Sequence, residues 1–555
     1  MNKINFNLKS VMVVLALSML PGISLTAQAA YQTIHNDFFW YDTSGNLIQV
    51  RSGCLRKFNG LYYWYGSLPG AIDQTCYSST DLVHWAYKGV VIHLAIDANR
   101  MDVLYNDSTK QYVMFLKYNG NAAYLGIATA TAPDGQFTFL SQILVGGAKI
   151  GDMSMFKDDD GKAYLAYVWD STGSNRQHGI YLMSPDYLTL DKRLYLWDIH
   201  SREAPHIFKR NGTYYYGVSE TNGIEPSPTR YYTATNLAGP WSAATMLVTP
   251  GSSTTYETQC DFVFPFTGTQ GTVYMLDADR WIPTGGFQGD YLWLPYDFDA
   301  AGNPTANYYQ DWDLNVASGT WRAFDRTTRD LALGKTATAS SASGANAAAA
   351  VTTATTYQNY TATRWESDAS DPQWIMVDLG APKNINRVIL KWYTDYAKAF
   401  QIQASTSSTT WTDVYSTTKG ASYSVTDVAF NATSARYVRM NGTQRGTANG
   451  YSLFAFMVLN DSSATPTTFK AEKSPIPSGA FLKCQNNTVQ YSVPANSSVR
   501  LEAFDARGRL AAVIVDRFIN PGSHEAVLSD KLGKGLYVFR LTTGGNMLVA
   551  MQVRL

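Results

Sequence analysis

The sequence has little charge and no excess of either sign. Its 44 Lys and Arg balance 44 Asp and Glu, and charged residues make up 16% of the chain, against about 25% in an ordinary soluble protein. Binding a phosphate backbone or an anionic bilayer needs a basic face, so this balance excludes nucleic-acid and polybasic membrane partners. Cysteine is also scarce. Cys54, Cys76, Cys260 and Cys484 are too few and too scattered for a disulfide framework or a spaced zinc site, although one bridge among the first three is allowed. The 7 histidines show no paired spacing, so no catalytic metal and no cofactor is expected. No apolar run reaches the roughly 20 residues that cross a bilayer, because Pro21 and Gly22 interrupt the run from Val11 to Leu20.

That run has a role of its own. Lys3 and Lys9 precede it, and Ala27-Gln28-Ala29 follows, the order of a secretory signal peptide cut near Ala29. Residues 1–29 are therefore expected to direct export, placing the mature protein outside the cell or on its surface.

A chain of 555 residues exceeds one hydrophobic core and predicts roughly two to four domains. Aromatics are plentiful, at 14% with 37 Tyr, as in β-rich cores and in clefts that stack on sugar rings. They recur in short strands at intervals of about fifty residues: Leu61 to Tyr65, Tyr112 to Phe115, Tyr164 to Tyr167, Tyr214 to Tyr216 and Tyr274 to Leu276. Five repeats of that length built from short strands predict a five-bladed β-propeller over residues 33–325. The first strand of each blade should line the central axis, which brings Ser52, Arg100, Asp152, Glu203 and Gln259 to one mouth of the channel. The Thr/Ser/Ala-rich stretch from Thr336 to Thr356 reads by composition as a flexible linker. Strands such as Trp374 to Leu379, Val388 to Tyr393 and Arg436 to Met440 then predict a second all-β domain over 330–461. A polar linker, Ser462 to Thr468, leads to a small β-sandwich over 469–555.

Several motifs carry a family resemblance. Asp42-Thr43-Ser44-Gly45-Asn46-Leu47-Ile48-Gln49, Tyr77-Ser78-Ser79-Thr80-Asp81-Leu82-Val83-His84-Trp85, Gly151-Asp152-Met153-Ser154-Met155-Phe156, Glu203-Ala204-Pro205-His206 and Asp279-Arg280-Trp281 together resemble glycoside hydrolase family 43, in its exo-β-1,3-galactanase-like branch. Leu333-Gly334-Lys335, Thr363-Arg364-Trp365 and Gly450-Tyr451-Ser452-Leu453 resemble a discoidin-type carbohydrate-binding module. The tail is similar to C-terminal sorting domains of the type IX secretion system, which makes that machinery an expected partner.

The resemblance implies an inverting glycosidase acting from the chain end of a galactose-containing polysaccharide. α-L-Arabinofuranosidase or β-xylosidase activity, or a non-catalytic glycan-binding propeller, are the alternatives. Glu203 falls at the general-acid position and Asp152 at that of the carboxylate which orients the acid and raises its pKa. The position that usually holds the base is Ser52. The branch implies Gln259 in its place, although an amide accepts a hydrogen bond far better than a proton. Glu257 and Asp261 flank Gln259, and strand alternation turns them away from it or leaves their direction open. Asp279, Arg280 and Trp281 are expected to bind substrate, with Arg280 in a buried salt bridge as the alternative. Arg51 and Arg100 at the channel mouth would suit an acidic sugar. Asn99 stands where the branch has a carboxylate. His84 and Trp85 are expected to be packing residues. The discoidin-type module lacks the acidic residues that would hold a calcium ion.

Overall fold

The structure, a computed structural model, describes residues 31–461 except 121, 170–176, 223–224, 281–290 and 354–362. It also describes 482–554 except 486–487, 494–496, 506–509, 520–521, 529–531, 533–534 and 544–545. The signal-peptide segment and the linker from Ser462 to Thr468 lie outside the described residues. The chain divides into two compact units, Met1–Pro466 and Thr467–Leu555. The described residues are almost wholly β; their one α-helical turn is Arg326–Arg329, and none of their helices is long and apolar enough to cross a membrane.

Five consecutive four-stranded antiparallel sheets, each hydrogen-bonded in chain order, make up the first part of the larger unit. Their first strands are Arg51–Phe58, Ala98–Asn106, Ile150–Lys157, Arg202–Arg210 and Gln259–Thr267. These strands touch one another in cyclic order, the fifth returning to the first, so they surround a common axis. The second strands carry the aromatic repeats. Leu61–Ser67, Gln111–Tyr118 and Thr213–Glu220 are buried along nearly their whole length, because a neighbouring sheet covers each face, which explains why they read as continuous aromatic runs rather than alternating ones. A further three-stranded sheet pairs Gln32–His35 with Asp311–Asn315 and Thr320–Ala323, bringing the start of the described chain against the strands that follow the fifth sheet.

The described residues between 336 and 459 form one seven-stranded sheet system around two long strands, Gln373–Trp392 and Val425–Arg445. Trp365, Trp392, Phe400 and Tyr451 are fully buried in its core. The stretch from Thr336 to Thr356 is not a linker over its described part. Thr336–Ala339 pairs with Ile375 to Asp378, and Ala348–Thr352 is a 3-10 helix whose Val351 is buried. Small β-branched and Ala residues there fill tight places against the sheet, a packing role that composition cannot distinguish from flexibility.

The sheet Gln32–His35/Asp311–Asn315 packs against this second β-system through paired charges. His35 Nδ1 lies 2.6 Å from Asp311 Oδ1 and its Nε2 3.1 Å from Asp427 Oδ2. Arg387 joins Asp427, Asp461 and Thr33, Lys391 reaches Asp311 at 2.6 Å, and Arg329 ties Asp313 to Asp461. Beside these charges Phe38 and Phe324 pack with Ile389, Phe454 and Met457.

The second unit holds a three-stranded sheet, ordered Leu482–Gln485, Thr488–Val493, Gly522–Val527, and a four-stranded sheet of Leu510–Ile519, Ser497–Asp505, Gly535–Thr543 and Asn546–Arg554. Tyr491, Leu501, Phe539 and Leu541 form its core. Cys54, Cys76 and Cys260 are buried free thiols, so the bridge that the sequence allowed among them is absent.

Candidate active site

Each of the five axial strands breaks register with its neighbour at the same level. The breaks fall between Arg51 and Cys54, Asn99 and Asp102, Ile150 and Met153, Glu203 and His206, and Cys260 and Phe262. A bulge of this kind bends a strand and re-aims the extra side chain. Ser52, Arg100 and Ala204 accordingly have φ of 47°, 49° and 52°, and Gly53 is required because a Cβ there would lie 1.8 Å from the Tyr65 carbonyl oxygen. The five breaks concentrate polar side chains at one end of the axis, where the sequence spacing placed them.

Charge at that end is wired from blade to blade. Asp152 accepts from Lys117 Nζ at 2.9 Å and from the Ala204 backbone N–H at 3.1 Å, and pairs with Arg100 Nη2 at 3.3 Å. Arg100 Nη1 donates to Asp261 Oδ1. Burial opposes the charge on Asp152, but Arg100 and Lys117 outweigh it and hold the carboxyl far below its usual range, so Asp152 is an anion at any working pH. Arg100 is deeply buried, yet Asp152, Asp261 and Glu203 hold its guanidinium charged.

Glu203 is the last paired residue before the fourth bulge. Its Oε1 accepts from Gln259 Nε2 at 3.1 Å, which brings two of the sequence-predicted catalytic residues into direct contact. The third, Asp152, reaches the same segment through the N–H of Ala204. Gln259 is buried and lies directly across the ladder from Asp279. Asp279 accepts from the Ser52 N–H at 2.9 Å and is hydrogen-bonded to Asp261. Burial raises both carboxyls, Asp261 further by the charge of Asp279 and Asp279 by that of Asp277.

Other predicted residues fall elsewhere. Arg280 turns to Asp37, with Nη1 2.7 Å from its Oδ1, and also donates to the Tyr256 carbonyl at 3.2 Å. This is the salt-bridge alternative, and Tyr308 and Gln310 complete it by donating to Asp37. Trp281 lies outside the described residues. Arg100 answers to Asp152 and Asp261, so its charge is met within the fold rather than offered to an acidic sugar. Burial lowers the pKa of Arg51, while Asp279 and Asp261 lie close enough to raise it. Glu257 is exposed, whereas Asp261 is buried and joined to Arg100 in the axial group. The Asn99 Oδ1 is buried without a hydrogen-bond partner. Trp85 is buried as a packing residue, but His84 is not; its exposed ring meets Asp81 at 2.8 Å.

Sequence reasoning missed Lys117, Asp37 and Asp277. Lys117 is the one charge in an otherwise largely apolar and aromatic strand, and Asp277 sits two residues before Asp279 in the equivalent strand of the fifth sheet; a charge in such a run was the available signal, since buried charges are rare unless paired. Asp37 precedes the first blade and carried no such mark. Among the described residues no group of His, Cys, Asp and Glu is arranged to hold a metal ion.

Residues 53–265 match the family described as glycosyl hydrolases family 43, and residues 351–440 match the NedA-like, galactose-binding domain. The chain is 27% identical over 224 residues to the beta-D-galactofuranosidase of Aspergillus niger, a match covering 36% of this chain and 64% of that relative's length. Among solved structures it is similar to exo-beta-1,3-galactanases from Phanerochaete chrysosporium and Clostridium thermocellum, at 24% identity each with TM-scores of 0.51 and 0.50, each covering 77% of this chain and 100% of the other. At that identity the likeness is one of fold. Glu203, Asp152 and Gln259 thus lie within the stretch that matches glycosyl hydrolases family 43, and a stretch that matches a galactose-binding domain follows it.

Proposed function

We propose that the chain is an exported, inverting exo-glycosidase that removes galactose units from a galactose-containing polysaccharide, with its site at the axis of a five-bladed propeller. The carrying observation is the contact between Gln259 and Glu203 beside an ionised Asp152. Glycoside hydrolysis with inversion needs an acid on the leaving oxygen and a group that handles water on the opposite face of the ring. Glu203 is the acid. Asp152, fixed by Lys117, Arg100 and the Ala204 N–H, is the carboxylate that holds the backbone next to Glu203 and so orients the acid. Gln259 orients Glu203 and, with its amide, the water.

A galactose-type sugar is supported by the similarity to the galactofuranosidase, by the galactanase-like fold and by the galactose-binding-type domain. The β-domain, joined to the propeller by the buried charge cluster around Arg387, is proposed to hold the polymer near the axis. The leader-like N-terminus supports export, and the tail's resemblance to type IX sorting domains supports delivery through that machinery. Arabinofuranosidase and xylosidase activities remain the alternatives within the same chemistry.

The test is sugar release from aryl β-galactopyranoside, β-galactofuranoside, α-arabinofuranoside and β-xyloside and from β-1,3-galactan, with the product anomer followed by NMR. Wild type should release one sugar with inverted configuration, and Glu203→Gln should lower kcat by about 10²–10⁴-fold on unactivated substrate. Silence of wild type across the panel, with glycan binding intact, would establish the non-catalytic reading instead.

A further inference from the structure

The inverting reading leaves one role unfilled, because Gln259 can hold a water but cannot keep its proton. The position that the family resemblance assigns to the base, Ser52, has only a hydroxyl side chain. Its backbone N–H, however, donates to a carboxylate brought from another blade, that of Asp279, at 2.9 Å. Asp279 closes the second strand of the fifth sheet and sits directly opposite Gln259 in the ladder, and cross-strand partners present their side chains side by side on one face. Asp261, lifted out of register by the fifth bulge, is hydrogen-bonded to Asp279 and held from its other side by Arg100.

We propose that Asp279 is the general base of the reaction proposed above, taking the proton of the water that Gln259 positions, and that Asp261 is its positioning partner. The proposal rests on the glycosidase reading. In the reacting step the water oxygen bonds to the anomeric carbon as the bond to the leaving oxygen breaks. The Glu203 proton moves to that leaving oxygen and one water proton moves to the Asp279 carboxylate. Glu203 ends as carboxylate and Asp279 as carboxylic acid, and exchange with solvent restores both. The pair arrangement suits the task. Two buried carboxyls in hydrogen-bond contact cannot both ionise readily. The Ser52 N–H fixes one carboxyl and Arg100 the other, so the two share a proton, and the proposal assigns the reacting anion to Asp279. Burial keeps that anion more basic than an ordinary aspartate, which favours proton transfer near neutral pH.

The experiment compares wild type, Asp279→Asn and Glu203→Gln on whichever substrate wild type cleaves, with and without sodium azide. Asparagine keeps an acceptor for the Ser52 N–H. Asp279→Asn should lose about 10²–10⁴-fold in kcat with little change in KM, and its kcat/KM should lose the acid limb of the pH profile. Azide, which needs no deprotonation, should restore turnover at least about tenfold and yield a glycosyl azide of inverted configuration; it should do nothing for Glu203→Gln on an unactivated substrate. An active wild type with Asp279→Asn within threefold of it, or a crippled variant that azide does not rescue, overturns the base assignment and leaves the glycosidase reading standing. An inactive wild type overturns that reading itself. If Asp279→Asn does not fold, the wild-type profile decides: an acid limb well above the ordinary aspartate value of 3.8 supports the base, and a limb at or below it overturns the assignment.

Discussion

Lys117→Met removes one of three partners of Asp152 while keeping the length and apolar stem of the side chain. Lys117 Nζ and Asp152 Oδ1 are 2.9 Å apart, with side chains only 9% and 12% exposed. At an effective dielectric of about 20, such a pair attracts by about 6 kcal/mol, from which the cost of desolvating the ammonium must be subtracted. Breaking a lone buried pair costs about 3–5 kcal/mol, but Arg100 and the Ala204 N–H still hold Asp152 here. The expected loss is therefore about 2–3 kcal/mol of the first unit's stability. The pH dependence gives a second reading. The folded pKa of Asp152 is depressed, so its contribution is present above the unfolded value of 3.8 and lost as pH falls through the folded one. Without Lys117 the folded pKa rises and acid unfolding should begin at higher pH. Thermal and acid unfolding of the full chain, followed by tryptophan fluorescence, measures both. A variant that melts within about 0.5 kcal/mol of wild type, with its acid midpoint unmoved, would refute the view that the axis is organised around an ionised Asp152.

The charge cluster beside the axial sheets predicts a transition of opposite sign. His35, with a carboxylate on each ring nitrogen, has its pKa raised by Asp311 and Asp427 against a lowering by burial. Its stabilisation is complete below the unfolded value of 6.5 and is lost as pH rises through the higher folded one, so melting temperature should decline across that interval in wild type and stay flat in His35→Gln. The groups facing it are Asp311, Asp427 and, through them, Lys391 and Arg387. Gly217→Ala should destabilise by about 1–3 kcal/mol, since a Cβ would lie 2.1 Å from His206 Nε2, and calorimetry reads this directly. His206 is pushed down to about 4 by burial, so the cost of that substitution should not vary between pH 6 and 8.

Much of the architecture was legible because it repeats. The aromatic second strands recur at near-constant spacing, and the strands before them set the level at which the axial residues converge. Glu203, Asp152 and Gln259 could therefore be placed together from spacing and motif alone. What spacing could not give is the partner of each charge. Arg100 and Arg280 both read as groups for substrate, yet one closes on Asp152 and Asp261 and the other on Asp37, and Asp37 is separated from Arg280 by almost the whole propeller sequence. The Thr336 to Thr356 stretch failed for a different reason. Its small residues fit a strand edge and a 3-10 turn in close packing, and composition is blind to whether a neighbouring sheet is present.

If Asp279 is the base, as proposed, the axial geometry shows how a carboxylate from the fifth sheet serves beside the backbone of Ser52. Five strands break register around a common axis, and polar groups from different blades meet there, Arg100 with Asp261, Glu203 with Gln259 and the Ser52 N–H with Asp279. A carboxylate on the first strand and one on the fifth sheet are then near-equivalent solutions, provided that a donor fixes the new one. Here the first strand still supplies that donor, since the positive φ of Ser52 accompanies an N–H directed at Asp279 rather than at the ladder. On this reading position 52 acts through its backbone N–H, so Ser52→Ala, which leaves that N–H in place and removes only the hydroxyl, should leave turnover unchanged. If Ser52→Ala kept full turnover while removing only the hydroxyl, the backbone rather than the side chain of that position would be what the reaction uses.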